Sequence, residues 1–369
     1  MLFVIVSGCS PAAVDFAGLQ AGPRQAVFKD HVITTRLDNG LRVAVLPDAR
    51  TNVISVTVRY EVGGADDPVG DEGLAHYAEH LLYEGAIAGR EDAVLAGNAE
   101  TSLDRTYFYT LALDTQLDAN LETAARRMEI GCAAFTDAEL ARERDVVIEE
   151  LKYRAHTRWD NRGAVMRAVW GEHHPYARGV GDAAFAAVSR ERLCSFIEQH
   201  YGPGSATLVV TGHVDDGVLE RIRASFGRIP ARAIAARTQM PPLEPGELRV
   251  GVPDLEYPTA LLVIRAPDEG TPADAAIEMI DGAVWRLPHP VGHGGWSDHW
   301  SGFASTHVIG EERARIVIAS MIVDNPDLLD DAVAALRQQF ARPELPQFGA
   351  RQARDRHRFI ESFDSPVAA

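Results

Sequence analysis

Two histidines that bracket a glutamate are the residues whose types and spacing most clearly suggest chemistry. His76, Glu79 and His80 lie in the run from Gly73 to Leu82. In a helix, residues three or four apart share a face, so both imidazoles can reach one ion and Glu79 projects on that side too. Borderline ligands of this kind suit Zn²⁺ best. A lone histidine pair could equally be two surface side chains, but a glutamate directly before His80 favours a metal site.

An acidic run further along the chain offers a third metal ligand. At 3.6 residues per turn, Glu143 and Glu150 lie on nearly the same line of a helix, whereas Glu149 points toward solvent. A carboxylate beside Val146 and Val147 is costly to bury unless a positive charge pairs with it. We therefore expect Glu150 to bind the metal and Glu143 to orient a ligating histidine. An ordinary helix with Glu–Arg pairs would be the better interpretation if the upstream motif were absent.

The order His-x-x-Glu-His is a signature of zinc peptidases. Three protein ligands leave one position open for water, as a catalytic zinc site requires. A nearby carboxylate can then take a proton from that water and return it to the leaving amine. We expect one Zn²⁺ per chain at His76, His80 and Glu150, with Glu79 as the catalytic general base.

Composition limits the class of protein and its partners. The chain has 369 residues, 46% of them hydrophobic and 24% charged, which is typical of a folded protein and long enough for two domains. Its net charge of −17 repels phosphate backbones, so nucleic acid is not expected as a partner. An acidic cavity would favour basic peptides, although a solvated acidic surface that maintains solubility is the more ordinary explanation.

The first two thirds of the chain read as an α+β domain. Asp38, Asn39 and Gly40 between two apolar runs predict a β-hairpin, because Asn-Gly tolerates positive φ. Strands precede helices in the sequence, which is typical of α+β folds. Strands are predicted at 31–36, 41–46, 52–62, 106–113 and 206–211, and helices at 74–83, 117–128, 137–154, 185–201 and 218–226.

A proline-rich run near residue 240 predicts a linker. Beyond it, strands are predicted at 247–252, 260–266 and 313–323, and helices at 273–285 and 326–340, which repeats the rhythm of the first half. The predicted organisation is a possible lipoprotein leader and tether (1–25), a zinc-binding catalytic domain (26–238), a linker (239–246) and a shortened second domain (247–369).

The N-terminus and the cysteines leave alternatives open. Val6-Ser7-Gly8-Cys9 resembles a bacterial lipobox, which would anchor Cys9 by lipid on the periplasmic side of the cell envelope. A frayed apolar N-terminus is the alternative, since the apolar run is short and carries no Lys or Arg before it. Cys132 and Cys194 can be buried thiols or one disulfide. No apolar run is long enough to cross a membrane.

Several motifs in the same order resemble the insulinase/pitrilysin family, which includes the mitochondrial processing peptidases. The resemblance runs from about residue 37 to residue 230 and is more specific than any one motif. The motifs are Asp38-Asn39-Gly40-Leu41, Gly73-Leu74-Ala75-His76 through His80, Asn98 through Tyr107, Glu143 through Glu150, His174-Pro175-Tyr176, and Tyr201 followed by Val209 through His213.

This resemblance implies a fold, a site and a substrate. The fold would be two related α/β-sandwich domains, with zinc at His76, His80 and Glu150 in the first. An edge strand near Asn98 and Ala99 would pair with an extended peptide through backbone hydrogen bonds. The alternative for Asn98 is a turn residue after a glycine.

The second half departs from the family pattern. Family members carry an Arg and Tyr pair in a second homologous domain, and no matching stretch is found here. The segment from His289 to Gly295 contains two histidines four apart, but Pro290 and Gly292 argue against a helical metal site. We therefore expect a homo- or hetero-oligomer with a second insulinase-like subunit. A non-catalytic or weakly catalytic peptide-binding subunit of a paired peptidase is the alternative function.

Overall fold

A computed structural model describes residues 2–6, 32–88, 96–155, 162–180, 185–251, 257–266, 304–309, 313–323 and 325–341. These residues form two compact units. One is built from described parts of Gln25–Ala155 and Gly179–Thr238, and the other from described parts of Met1–Arg24, His156–Arg178 and Gln239–Ala353. None of the described helices combines the length and apolar character that crossing a membrane requires.

The first unit contains a mixed six-stranded sheet in the order β2-β3-β7-β4-β6-β5. The β2–β3 hairpin turns at Gly40, where φ is 95°. Asn39 links this turn to a segment much later in the chain, because its side-chain amide donates to the carbonyls of Phe226 and Ile229. The strands are β2 (Ile33–Arg36), β3 (Arg42–Pro47), β4 (Val53–Tyr60), β5 (Ala96–Thr101), β6 (Thr106–Leu113) and β7 (Ala206–Gly212).

Helices cover one face of this sheet and enclose a hydrophobic core. Strand β6 shows the reason, since its buried residues alternate with half-buried ones and present every second side chain to the helices. Five of the helices whose full extent is described contribute apolar side chains to the core. They are α1 (Leu74–Ile87), α2 (Leu117–Glu129), α3 (Asp137–Ala155), α5 (Arg190–His200) and α6 (Val218–Phe226).

The second unit contains a five-stranded sheet in the order β10-β11-β9-β1-β8. Helix α7 (Leu329–Ala341) packs on it through Leu329, Val333 and Leu336. Helix α4 (Arg162–Trp170) places Val169 in a second apolar cluster with residues of β9 and β11. The strands are β1 (Leu2–Val6), β8 (Gly246–Val250), β9 (Thr259–Arg265), β10 (Ala304–Ile309) and β11 (Ile316–Ile322).

The element boundaries differ from the sequence-based ones at several points. The helix expected from residue 185 begins at Arg190, because the Ser189 side chain accepts from Arg192 N and caps it there. Helix α1 continues to Ile87. Helix α4 and strand β10 were not expected. The helix expected at 273–285 and the segment from His289 to Gly295 lie outside the described residues.

The N-terminal apolar run forms part of the second sheet, so the alternative of a frayed N-terminus is wrong. Leu2–Val6 forms strand β1, which pairs antiparallel with β8 and parallel with β9. Cys9 lies outside the described residues, so lipid attachment there stays a prediction.

Candidate metal centre

Helix α1 carries the His-x-x-Glu-His motif, and its first turn is held by a buried aspartate. Asp67 accepts from the backbone N–H of Gly73 at 2.7 Å and of Ala75 at 2.9 Å. These are donors that the start of a helix leaves without intrahelical partners. Gly73 has φ of 103°, and a Cβ there would lie 2.8 Å from the ring of Phe185. A side chain at this position is therefore excluded both by the backbone and by packing.

Two histidines of α1 and one glutamate of α3 converge on the same point. Oε2 of Glu150 lies 3.4 Å from Nε2 of His76 and 3.3 Å from Nε2 of His80. The two imidazole rings are 4.9 Å apart between centroids. One ligand atom from each of the three residues lies within 4.8 Å of the others. Two imidazole nitrogens and a carboxylate oxygen in this arrangement form a donor set suited to zinc.

The other glutamates of α3 occupy different positions. Oε2 of Glu143 lies 3.6 Å from Nδ1 of His80, the ring nitrogen that faces away from Glu150. Glu143 is buried and also pairs with the Arg142 guanidinium at 3.0 Å. Glu149 is 73% exposed and pairs with Lys152 instead. Helix α3 therefore places the carboxylate of Glu150 at the site, that of Glu143 near the other ring nitrogen of His80, and that of Glu149 in solvent.

Glu79 lies next to the two histidines in sequence but outside the group of three converging ligands. It is 8% exposed, so its carboxylate is largely removed from water. Burial raises the pKa of Tyr201 well above its usual value. The negative charges of Asp67 and Glu79 raise the pKa further, by smaller amounts. A buried carboxylate that directly precedes a ligating histidine and is not itself a ligand is a candidate for the general base.

Contacts with two neighbouring helices, α1 and α5, hold α3 and the segment that precedes it. Tyr77 of α1 donates its hydroxyl to the Leu140 carbonyl. Cys132, just before α3, forms a disulfide with Cys194 of α5. Arg190 of α5 donates to the carbonyl oxygens of Cys132 and Phe135. The disulfide was one of two alternatives left open by the sequence.

Strand β5 contains both residues expected to contact a substrate. Asn98 and Ala99 lie in its middle, and β5 is the last strand of the first sheet, so its outer edge has no strand partner among the described residues. Asn98 is therefore a strand residue rather than a turn residue. Ala99 packs toward the core, on the side where α1 lies, whereas Asn98 is exposed on the opposite face.

Two positioning residues were missed by sequence reasoning. Asp67 lies six residues before the N-cap Gly73, too far along the chain for the usual capping pattern to indicate its contact with the helix start. The Tyr201 hydroxyl contacts the Ala75 carbonyl and the Thr106 hydroxyl, each at 3.1 Å. No local pattern indicates this link, because it joins segments that are distant in sequence.

Two family descriptions match the chain. Residues 42–173 match the model described as insulinase, peptidase family M16. Residues 187–281 match the model described as the peptidase M16 inactive domain. The first match contains all of the converging ligands.

Known proteins and solved structures agree with these matches. An uncharacterized zinc protease of Mycobacterium leprae is 33% identical over 264 residues, which cover 66% of this chain and 58% of that protein. This chain thus spans less than two thirds of that relative.

The crystal structure of a protease from Helicobacter pylori has a TM-score of 0.67 at 20% identity and covers 91% of this chain and 87% of its own. The first half of the periplasmic protease PqqL from Escherichia coli has a TM-score of 0.64 at 21% identity and covers 83% and 71%. These two likenesses establish the fold.

Proposed function

Because the chain belongs to the insulinase/pitrilysin family, we propose that it is a zinc-dependent endopeptidase that hydrolyses peptides or unfolded polypeptide segments. The observation that carries this proposal is the convergence of His76, His80 and Glu150 on one point, on a helix that also carries the buried Glu79. A structural zinc site would give this fourth residue no role.

In this proposal His76, His80 and Glu150 hold one zinc ion. The chemistry that zinc supplies in such a site is Lewis-acid polarisation of a carbonyl and activation of water. Glu143 orients the ring of His80, because its carboxylate lies 3.6 Å from Nδ1, the ring nitrogen that does not face Glu150. Asp67 and Tyr201 fix the first turn of α1, from which His76 projects.

Glu79 moves the proton. Its carboxylate accepts a proton from the attacking water and returns it to the nitrogen of the leaving amine. Burial of this side chain keeps competing bulk water away from the carboxylate.

The substrate binds as an added strand on β5. The outer edge of β5 offers backbone N–H and C=O groups to an extended peptide, and Asn98 and Ala99 lie at its centre. Backbone pairing recognises an extended conformation rather than a sequence, which suits peptides and unfolded segments as substrates.

A second candidate function is a non-catalytic or weakly catalytic peptide-binding subunit of a paired peptidase. The match of residues 187–281 to the M16 inactive-domain description favours it. In that case a second insulinase-like subunit would complete the site, and the same edge strand would hold the peptide.

The periplasmic side of a bacterial cell envelope is the proposed location. The name of the PqqL structure describes a periplasmic protease. The Cys132–Cys194 disulfide agrees with an oxidising compartment. Lipid attachment at Cys9 would retain the protein at the membrane, but the cleavage that precedes it would remove strand β1.

Peptide hydrolysis by the purified chain, alone and with a candidate second subunit, tests the proposal. Activity that is lost on chelation and restored by Zn²⁺ is expected for the endopeptidase. A chain that binds peptides but cleaves none in either preparation would support the binding-subunit function instead.

A further inference from the structure

An aromatic and acidic patch lies on the face of the first sheet that points away from the helices. It consists of Glu100 on β5 and Tyr107 and Tyr109 on β6, and we refer to it as the Glu–Tyr patch. Glu100 is exposed, and the two tyrosines are half-buried. None of these residues belongs to the metal centre.

Strand register places the three side chains together. Glu100 is directly opposite Tyr107, and Asn98 is directly opposite Tyr109. The Tyr107 hydroxyl donates to Oε2 of Glu100 at 2.6 Å. The rings of Tyr107 and Tyr109 are stacked, with centroids 6.4 Å apart and planes inclined by 27°. The carboxylate is therefore held at the end of a two-ring aromatic surface.

The contacts around Glu100 leave one of its carboxylate oxygens able to accept a further hydrogen bond. Burial and the bond from Tyr107 to Glu100 raise the pKa of Tyr107 to about 12, so the phenol stays a neutral donor at physiological pH. That bond uses one carboxylate oxygen of Glu100. Arg59, which is directly opposite Tyr107 on the neighbouring strand β4, forms an ion pair with Glu61.

The chemistry of the patch selects a cation. A guanidinium or ammonium group is attracted to the face of an aromatic ring and forms charge-assisted hydrogen bonds with a carboxylate. Arginine fits both features, because its planar group can stack on a ring while it donates to Glu100. We propose that the Glu–Tyr patch binds a basic side chain, preferably arginine, of the peptide bound at β5.

The position of β5 explains how a peptide reaches the patch. Side chains of a strand alternate between the two faces of a sheet, and directly opposite residues lie about 5 Å apart. A peptide added to the edge of β5 would therefore turn alternate side chains toward Glu100 and the others toward Ala99 and α1. This inference rests on the proposed substrate binding at β5, and it adds a preference for basic residues at alternate positions.

A binding experiment separates this preference from catalysis. The probes are fluorescent peptides of neutral residues in which one arginine, glutamine or glutamate is moved through every position. Their affinities are measured by anisotropy with the full chain carrying Glu79→Gln, so that little peptide is hydrolysed during the measurement. Glu100→Gln, Glu100→Lys and Tyr107→Phe are added singly to that chain. Glu220→Gln, which removes an exposed carboxylate of α6 that pairs with Arg223, is the matched control.

We expect arginine to bind about fivefold more tightly than glutamine at one or more alternate positions, as one partly exposed cation–π contact and ion pair would give. Glu100→Gln should abolish the preference, and Glu100→Lys should reverse it toward glutamate. Tyr107→Phe should weaken it, because the ring stays but the hydroxyl that holds Glu100 is lost. Glu220→Gln should leave it unchanged.

Equal affinity for arginine and glutamine at every position, or a preference that survives Glu100→Gln, would overturn the inference. Peptide hydrolysis by the wild-type chain without any charge preference would overturn it too, while leaving the proposed function intact. A preference for arginine that depends on Glu100, in a chain that hydrolyses no peptide, would support the patch and contradict the endopeptidase function.

Discussion

The carboxylate of Glu150 lies 3.4 Å from the Nε2 atom of His76, although the two residues belong to different helices. The same carboxylate oxygen is 3.3 Å from Nε2 of His80. Ion pairs between partly exposed side chains contribute little to stability in water, so they do not explain this convergence. The proposed zinc ion, bound by all three side chains, would explain the convergence, and this gives the first prediction.

Glu150→Gln should lose most of the bound zinc. An amide is a poor zinc ligand, and we expect at least about a hundredfold loss of affinity, the upper end of the effect seen for groups that only orient ligands. Metal content after dialysis against a graded chelator measures this. Glu149→Gln is the control, because that side chain is exposed and pairs with Lys152. Equal loss from both variants would contradict the assignment of the third ligand.

Reduction of the Cys132–Cys194 disulfide should lower the free energy of unfolding by roughly 2–4 kcal/mol. The bond restrains the unfolded chain and fastens the start of α3 to α5. Urea unfolding with and without reductant, in a Cys9→Ala background, measures the loss. The double variant Cys132→Ala/Cys194→Ala should be insensitive to reductant. Two free thiols in the unreduced Cys9→Ala protein would show that the bond does not form.

Arg127→Met should stabilise the protein. Arg127 is 2% exposed, and its Nε and one terminal nitrogen have no hydrogen-bond partner among the described residues. Burial lowers its pKa. The Phe108 ring, 4.5 Å from the guanidinium carbon, compensates only in part. Replacing a poorly compensated buried charge with an apolar side chain of similar size should raise the free energy of unfolding by about 1 kcal/mol or more.

Thermal and urea unfolding of Arg127→Met measure this change. Arg127→Lys keeps the charge but loses the planar stacking on Phe108, so it should be less stable than the wild type. A methionine variant destabilised by more than about 1 kcal/mol would show that the guanidinium has a stronger partner than the aromatic rings.

The protein should lose stability as the pH falls below neutral, in part through His200. Burial lowers the pKa of His200 below its usual value of 6.5, with a smaller effect of Arg237 in the same direction and of Asp66 in the opposite one. The unfolded chain therefore binds a proton more readily than the folded one. The stability contribution is complete above pH 6.5 and is lost as the pH falls through the lowered folded-state value.

The stability of wild type and His200→Gln between pH 8 and pH 5, measured in chelator so that metal release plays no part, tests this prediction. The variant should show a shallower dependence, by no more than about 1.4 kcal/mol per pH unit for one proton. Parallel curves would show that His200 does not titrate differently in the two states.

The motif helix could be predicted from sequence because its apolar residues and its metal-facing residues each follow the helical period. The predicted boundaries of β6 and α6 agree with the structure for the same reason, since their patterns are local. Strand β5 could not be found by pattern, because Ala96-Gly97-Asn98 has low strand propensity and is held by pairing with β6.

Long-range relationships were beyond the reach of local patterns. The contact of Tyr201 with Ala75 and the Cys132–Cys194 bond join segments that only the folded chain brings together. The burial of Arg127 could not be predicted from sequence either, because an arginine in an amphipathic helix is normally at the surface. These are the features that position α1 and α3 and shape the core beneath them.

Glu79→Gln tests the central claim most directly, since it separates proton transfer from metal binding. The amide keeps the size and shape of the side chain but cannot accept a proton. The variant should retain zinc and bind peptide like the wild type, yet hydrolyse it at least about a hundredfold more slowly. His76→Ala and His80→Ala should lose both zinc and hydrolysis. If Glu79→Gln cleaves peptide at the wild-type rate with its zinc in place, Glu79 is not the general base and the account of the site is wrong.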